Sequence, residues 1–486
     1  MPARAYVLLF CTCFAAYALV FHGGSWNSTS RFALTLSIVR FGTVTIDEFA
    51  ALTGDKAEAL GHFVSDKAPG MSLLALPSTA AADRLLGAAG GNGELVTTIL
   101  GGRELGATPA FGFLLWVATV ATSGLFSALA VVAFCDLLIR LGARTRMALG
   151  FAFVFGLGTL QWGWSATFFG HATAGAFLVL ALWAIVRLSD TAGATRLAFA
   201  GAAGLFAGSA FLTEFPTAIA GLLLALFALW RVARDRPRQI FAVVCFAIIG
   251  AATPLFVLAL YNEVAFGNPL HLSYASVVGF EGMSVGLFGI GMPRPDVLYE
   301  IVFGGLRGII WFVPVLIVLP LAMVIVGKRQ PDVAIVSVAI VAAFFLINAG
   351  YFYWDGGWST GPRHVVPALG FLVLPIALAA GSMPRWALAA LAALACVGIL
   401  ANLIAASTDM FTRDDAHGVI LFSVLFPDFL AGDNSKVVFA PLIGIPVLAT
   451  AVYAAIVGVL GAATFASLTS MEREERPSAP QTELST

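Results

Sequence analysis

Charge is scarce in this chain. Only 11% of its 486 residues are Asp, Glu, Lys or Arg. A soluble domain carries about a quarter, so a water-exposed globular fold is excluded. The net charge of −1 offers no excess of one sign for a nucleic acid. Cysteine is sparse as well. Cys11, Cys13, Cys135, Cys245 and Cys396 all fall inside apolar runs, which excludes a disulfide framework and a cysteine metal site. No HExxH, phosphate-loop or glycine-rich dinucleotide motif occurs, and the six histidines lack metal-ligand spacing. Alternating strand-like segments are missing too. Stretches such as FLVLALWAIV, Phe177 to Val186, are apolar all round, which excludes a transmembrane barrel.

What the chain does contain is hydrocarbon, with 60% of its residues hydrophobic. Apolar runs of roughly 17–25 residues recur along it, each long enough to cross about 30 Å of bilayer core. The fold class is therefore an all-α polytopic membrane protein. Short basic clusters set the orientation: residues 140–146, 187–196, 231–238, 328–332 and 383–386 belong in the cytoplasm by the positive-inside rule. Helices then fit at 6–22, 111–139, 147–163, 170–187, 197–212, 217–230, 240–261, 306–327, 333–351, 364–381, 387–406 and 441–465. That makes about 12 spans (11–13) with both ends inside. The first is read as a retained helix, since no small-residue cleavage site precedes the first polar loop.

Residues 1–465 form one transmembrane domain in this scheme, and 466–486 a disordered cytoplasmic tail. Residues 23–108 become a large first extracytoplasmic loop, and 164–169, 213–216, 262–305, 352–363 and 407–440 share its side. All six histidines fall on that outer side, which points to polar chemistry there. Residues 69–86 are expected to lie in the interface or re-enter, because a full crossing would invert every later loop.

Two outer stretches carry the chemistry. GHFVSDKAPG, Gly61 to Gly70, sets His62, Asp66 and Lys67 beside a proline and a glycine at the membrane edge. An ammonium that has lost water there gains strongly from a phosphate. YFYWDGGWSTGPRHVVP, Tyr351 to Pro367, joins two helices through aromatics, glycines, Asp355, Arg363 and His364. Its glycines suit close backbone approach to a ligand. Arg363 at a helix start offers a planar fork for phosphate, aided by free N–H groups. Glu214 lies between apolar runs, where an unpaired carboxylate is costly. Residues 30–41 set Phe32, Leu36 and Val39 on one side at helical spacing, which predicts an amphipathic helix lying on the membrane. Asp47 and Glu48 follow it, and Asp55 reads as a solvated loop acid. Asn262, Glu263 and His271, with Gln161, Trp164 and His171, are weaker polar signals on the same side.

Three features together resemble the GT-C membrane glycosyltransferases, such as the protein O-mannosyltransferases and the aminoarabinose–lipid A transferases. They are a long outer loop after the first helix, the helix start Arg31-Phe32-Ala33, and the motif Asp66-Lys67-Ala68-Pro69. The resemblance implies a bacterial inner-membrane enzyme with an extracytoplasmic active face. It implies a polyprenyl-phosphate-linked sugar donor and a lipid, glycan or protein acceptor. By this analogy Lys67 matches the lysine that holds the donor phosphate. The family's acidic pair before the Arg-aromatic-Ala stretch is replaced here by Ser28 and Thr29. The catalytic base then falls to Asp47, with Glu48 beside it. Arg31, His62, Asp66, Lys67, Glu214, Asp355, Arg363 and His364 are expected to bind substrate. No exchangeable cofactor or metal is required, although a divalent ion on the acidic outer face is compatible with the sequence. The competing readings are a transporter or lipid flippase, and a non-catalytic scaffold of envelope assembly. Both fit the composition, but clustering of polar residues at one face favours the enzyme.

Overall fold

The apolar runs become helices because backbone N–H and C=O groups in hydrocarbon must be satisfied within the segment. The computed structural model describes residues 1–88, 108–284, 286–432 and 435–474. Helix α1 (Ala3–Ala18) leads into the first loop, which holds α2 (Trp26–Phe41), a small hairpin, α3 (Gly70–Leu74) and α4 (Leu76–Ala88). Then come α5 (Ala110–Arg140), α6 (Thr145–Leu157), α7 (Gly170–Asp190), α8 (Gly193–Thr213), α9 (Phe215–Asp235) and α10 (Pro237–Phe266). The second half holds α11 (Pro295–Phe303), α12 (Leu319–Arg329), α13 (Pro331–Gly350), α14 (Arg363–Ala380), α15 (Arg385–Thr408), α16 (Leu421–Ala431) and α17 (Pro446–Glu474). Among the described residues nine helices are long and apolar enough to cross a membrane, and α1, α6 and α16 are shorter apolar helices.

Helices α7 and α14 form the centre, with 83% and 89% of their apolar windows buried, whereas α10 is the most exposed at 17%. Glycines let α8 and α10 touch. A Cβ at Gly208 would lie 2.6 Å from Pro254 Cγ and 3.0 Å from the Ala251 carbonyl oxygen. Small residues at such contacts are how helices associate where no hydrophobic force favours one apolar surface over another.

Several expectations change. Residues 306–327 are not one helix. Short 3₁₀ turns at Ile309–Trp311 and Pro314–Val318 precede α12, because prolines such as Pro314 lack an N–H and clash with the preceding turn. Helix α2 does not lie on a membrane surface. Asn27 through Ser37 are all buried, since their polar groups find partners inside the protein. The 69–86 stretch divides into α3 and α4, each too short to span. Outer segments 262–305 and 407–440 contain α11 and α16. The expected disordered tail from 466 starts within α17, which runs to Glu474, while 475–486 lie outside the described residues.

The hairpin pairs β1 (Ala57–Ala59) antiparallel with β2 (His62–Val64) in the register Ala57↔Val64, Glu58↔Phe63 and Ala59↔His62. Its two-residue turn has φ 53° at Leu60 and 80° at Gly61. Positive φ at both positions is the geometry that matches strand twist in a tight hairpin.

Candidate functional site

Helix α2 begins under a cap, the Ser25 hydroxyl accepting from the Ser28 amide at 3.1 Å. One turn on, Arg31 is 1% exposed and every arm of its guanidinium is engaged. Its Nε donates to Asn27 Oδ1 at 3.0 Å, and Nη1 donates to the carbonyls of Ala68 at 3.0 Å and Thr213 at 3.3 Å. Its Nη2 donates to Glu214 Oε1 at 2.5 Å. Arg31 thus ties the first loop to the corner between α8 and α9. Gly70 tightens the same junction, because a Cβ there would meet the Leu212 carbonyl oxygen at 2.7 Å.

The hairpin delivers Asp66 and Lys67 to this junction. Lys67 Nζ sits 2.6 Å from Asp66 Oδ2 and 3.0 Å from Asp55 Oδ2. Asp66 is 2% exposed, and burial pushes its carboxyl up to about 6 against the pull of Lys67. Lys67 moves the other way from what burial alone would do, because Asp55 and Asp66 hold its ammonium charged. Burial also raises the Glu214 carboxyl, countered by Arg31, Lys67 and Arg363.

The aromatic turn closes the site. Gly356 and Gly357 take φ 71° and 59°, and a Cβ at Gly356 would lie 2.8 Å from Arg363 Nε. At Gly357 it would collide with the Tyr353 hydroxyl. The space these glycines leave is filled by the turn's own side chains, not held open for a ligand as the sequence suggests. Arg363 lies over the rings of Phe169 and Tyr353, at 5.2 and 5.8 Å, and its buried Nε has no partner among the described residues. His364 stands edge-on to His171 and to Tyr351, each at 5.3 Å between centroids. His171 Nδ1 lies 3.7 Å from Glu214 Oε1.

Two phenols register how these groups converge. Burial raises the Tyr351 hydroxyl to about 12, with Lys67 and Arg363 opposing. Burial raises Tyr353 too, and its hydroxyl feels Arg363, Asp355, Asp55 and Lys67. Contacts join the first loop to the late turn, from Arg31 through Glu214 and His171 to His364. The segment after α10 bridges them: Ser273 Oγ donates to the Asp66 carbonyl at 2.7 Å, and the Phe352 amide donates to Gly289 at 2.9 Å.

Of the residues singled out from sequence, Arg31, Asp66, Lys67, Glu214, Arg363 and His364 come together. Asp355 does not reach them through its carboxylate, which accepts from the Gly357 amide at 3.3 Å and shapes the turn. Asp47, Glu48 and His62 stay exposed. Asp47 accepts from the Phe63 amide at 2.7 Å and pairs with His62 Nδ1 at 2.8 Å, so both brace the hairpin. The second carboxylate on Lys67, beside Asp66, is Asp55, which sequence reasoning took for a solvated loop acid. Arg307 was missed as well. It is fully buried, donates to the carbonyls of Asp355 at 2.7 Å and of Gly357, and is lowered to about 10 by burial. Gly304, Gly305 and Gly308 around it were the signal that no helix runs there. Among the described residues no group of three or more His, Cys, Asp or Glu side chains is placed to hold a metal ion.

No family model matches this sequence, and no curated protein matches it. Solved structures do. ArnT from Cupriavidus metallidurans bound to undecaprenyl phosphate superposes with a TM-score of 0.53 at 17% identity, covering 96% of this chain and 78% of that one. Its apo state gives 0.51 at 17% identity over 95% and 78%. The archaeal oligosaccharyltransferase AglB from Archaeoglobus fulgidus, in complex with an inhibitory peptide and a dolichol-phosphate, reaches only 0.44 at 13% identity over 93% and 56%. The likeness to ArnT is one of fold, a helical membrane architecture that covers nearly the whole of this chain.

Proposed function

We propose that this chain is an integral membrane glycosyltransferase that moves a sugar from a polyprenyl-phosphate donor to a lipid, glycan or protein acceptor on the extracytoplasmic face. The observation that carries the reading is a chain of contacts at one end of the bundle: Lys67 against Asp55 and Asp66, Glu214 against Arg31 and His171, and His171 against His364, the neighbour of Arg363. Breaking a glycosyl phosphate requires positive charge on the departing phosphate and a carboxylate near the attacking oxygen. Lys67 and Arg363 supply the first. Asp55, less buried than Asp66, supplies the second and takes the base role in preference to Asp47. Asp66 orients the Lys67 ammonium from below. Arg31 and Glu214 act as positioning residues that lock the first loop onto the bundle. The acceptor hydroxyl attacks the anomeric carbon, its proton passes to Asp55, and the lipid phosphate leaves to the two cations. ArnT, the fold neighbour, has been solved with undecaprenyl phosphate bound, which supports a lipid-phosphate ligand.

The test is incubation of the purified chain with polyprenyl-phosphate sugars, scoring lipid-phosphate release. Lys67→Ala is expected to lower release by about 100-fold or more, the scale of losing one aimed charge in a dry site. Asp55→Asn is expected to lower it by roughly 100- to 10,000-fold, the contribution of general base catalysis. Asp47→Asn is expected to change it by less than about threefold, as for a surface substitution. Release that persists in both Lys67→Ala and Asp55→Asn overturns the assignment. Movement of intact lipid across vesicles without release favours the flippase instead.

A further inference from the structure

At the end of the bundle opposite that site, a cavity of about 340 Å³ opens between the C-terminal ends of α7 and α9 and the start of α8. Helix α8 has 21 residues, so the two regions lie about 30 Å apart at ~1.5 Å per residue. The cavity belongs to the basic end, which the positive-inside rule assigns to the cytoplasm. Its volume falls at the lower end of the range for small-molecule pockets, roughly 300–1,000 Å³.

Three arginines line it: Arg196, Arg231 and Arg236. Arg196 is 5% exposed and fixed in place. Its Nε donates to the Leu188 carbonyl at 3.2 Å, and its other nitrogens donate to Gln239 and the Thr191 carbonyl. Arg231 lies over the Phe227 ring, 5.6 Å from its centroid, and its Nε and Nη1 are buried with no partner among the described residues. The carboxylate of the lining, Asp235, is already held by Arg234 through bonds of 2.7 and 3.1 Å. Ser189 adds a hydroxyl.

The ordinary explanation of an arginine here is that it snorkels, its stem in lipid and its head in water. Arg196 and Arg231 do not fit that explanation, because Arg196 is bound inside the protein and Arg231 lies over Phe227 with two of its nitrogens shut off from water. The carboxylate of the lining is already paired with Arg234, so the three guanidinium groups around the cavity leave positive charge that an anion satisfies. Trp230 and Leu226, on the helix that carries Arg231, and Phe241 on α10 are exposed apolar side chains. A ligand with a phosphate and an apolar tail satisfies both surfaces.

We propose that this cavity binds a phosphate group at the cytoplasmic end of the bundle, carried by an anionic phospholipid. Arg231 turns its positive charge to the phosphate oxygens, Arg196 forms the fixed positive wall, and Arg236 closes the rim. Basic pockets between helices on this side of a membrane hold anionic headgroups in the same way.

The experiment is native mass spectrometry of the full chain in detergent after delipidation. Phosphatidylglycerol, phosphatidylethanolamine and inorganic phosphate are added in separate arms. Phosphatidylglycerol adducts are expected to exceed phosphatidylethanolamine adducts by about fivefold, with a similar loss in Arg231→Gln and in the rim variant Arg236→Gln. Arg238→Gln, at the same basic end but outside the cavity, is expected to match the parent. Retention of inorganic phosphate that depends on Arg231, with no lipid preference, keeps the phosphate site and makes its source a soluble one. Equal adducts in the parent, Arg231→Gln and Arg236→Gln overturn the proposal.

Discussion

Arg31 is a charged side chain turned into a structural bolt. Its partner Glu214 is 3% exposed, and neither group has water to fall back on. Removing one member of a buried pair strands the other, at a cost on the order of 3 kcal/mol. Glu214→Gln is therefore expected to lower the thermal unfolding temperature in detergent by several degrees. An unchanged transition would mean that Arg31 is fully satisfied by Asn27 and the two carbonyls. His22 makes a pH argument of the opposite kind. It is buried, its ring bonds the Ala406 carbonyl at 2.8 Å through Nε2, and burial lowers it to about 3. Between about pH 3 and its unfolded value near 6.5 the unfolded chain binds the extra proton, so stability rises with pH across that window. Replacing His22 with Asn removes this dependence, and unfolding scans between pH 4 and 6.5 should show a flatter slope in the variant. Parallel slopes would contradict it. At this scale the sequence exposed Lys67, Arg363 and Glu214, because polar groups at the edges of apolar runs stand out. It hid Asp55, since an acid in a long loop looks the same whether it is solvated or paired.

Elements were legible where one signal dominated. Long apolar runs between basic clusters marked α7, α8, α13 and α15 nearly to their ends. They failed at 306–327, where enough apolar residues for a span are interrupted by Gly308 and Pro314. They failed again at α2, whose Phe32, Leu36 and Val39 spacing cannot say whether the apolar face meets lipid or protein. Its polar face was the better guide, because Ser28, Ser30, Arg31 and Thr35 all find buried partners. The packing of α8 on α10 yields a prediction at this scale. Gly208→Leu forces a side chain against Pro254 and the Ala251 carbonyl, and overpacking of this kind costs about 1–3 kcal/mol. A drop in unfolding temperature is expected for Gly208→Leu and little change for Gly221→Ala, whose Cβ would meet nothing nearer than 3.9 Å.

Taken whole, the molecule collects its reactive side chains at one end and its spare arginines at the other. His22, His171 and His364 gather at the first end, around Trp164 and Phe411. That polarity is open to labelling. Glu48→Cys and Trp358→Cys, both at exposed positions, should react with a membrane-impermeant maleimide added from the same side, and Lys328→Cys only from the other. Labelling of the first two from opposite sides would separate Lys67 from Arg363 across the bilayer and end the functional reading. The polytopic helical architecture, which the ArnT structure shares, was legible from the recurring apolar runs and the long first loop. The number of crossings was less so, because α1, α6 and α12 are short and hydropathy weighs length.

Lys67 has three hydrogens to give, and two carboxylates already draw on them. One is left for an incoming donor, whose phosphate then competes for the ammonium with Asp55, the carboxylate nearer the surface. On the proposed reaction its arrival therefore arms the base. Until then Asp55 is held by the ammonium and pulls less on the proton of a stray water, which disfavours idle hydrolysis. Turnover then favours one order, lipid-linked sugar before acceptor.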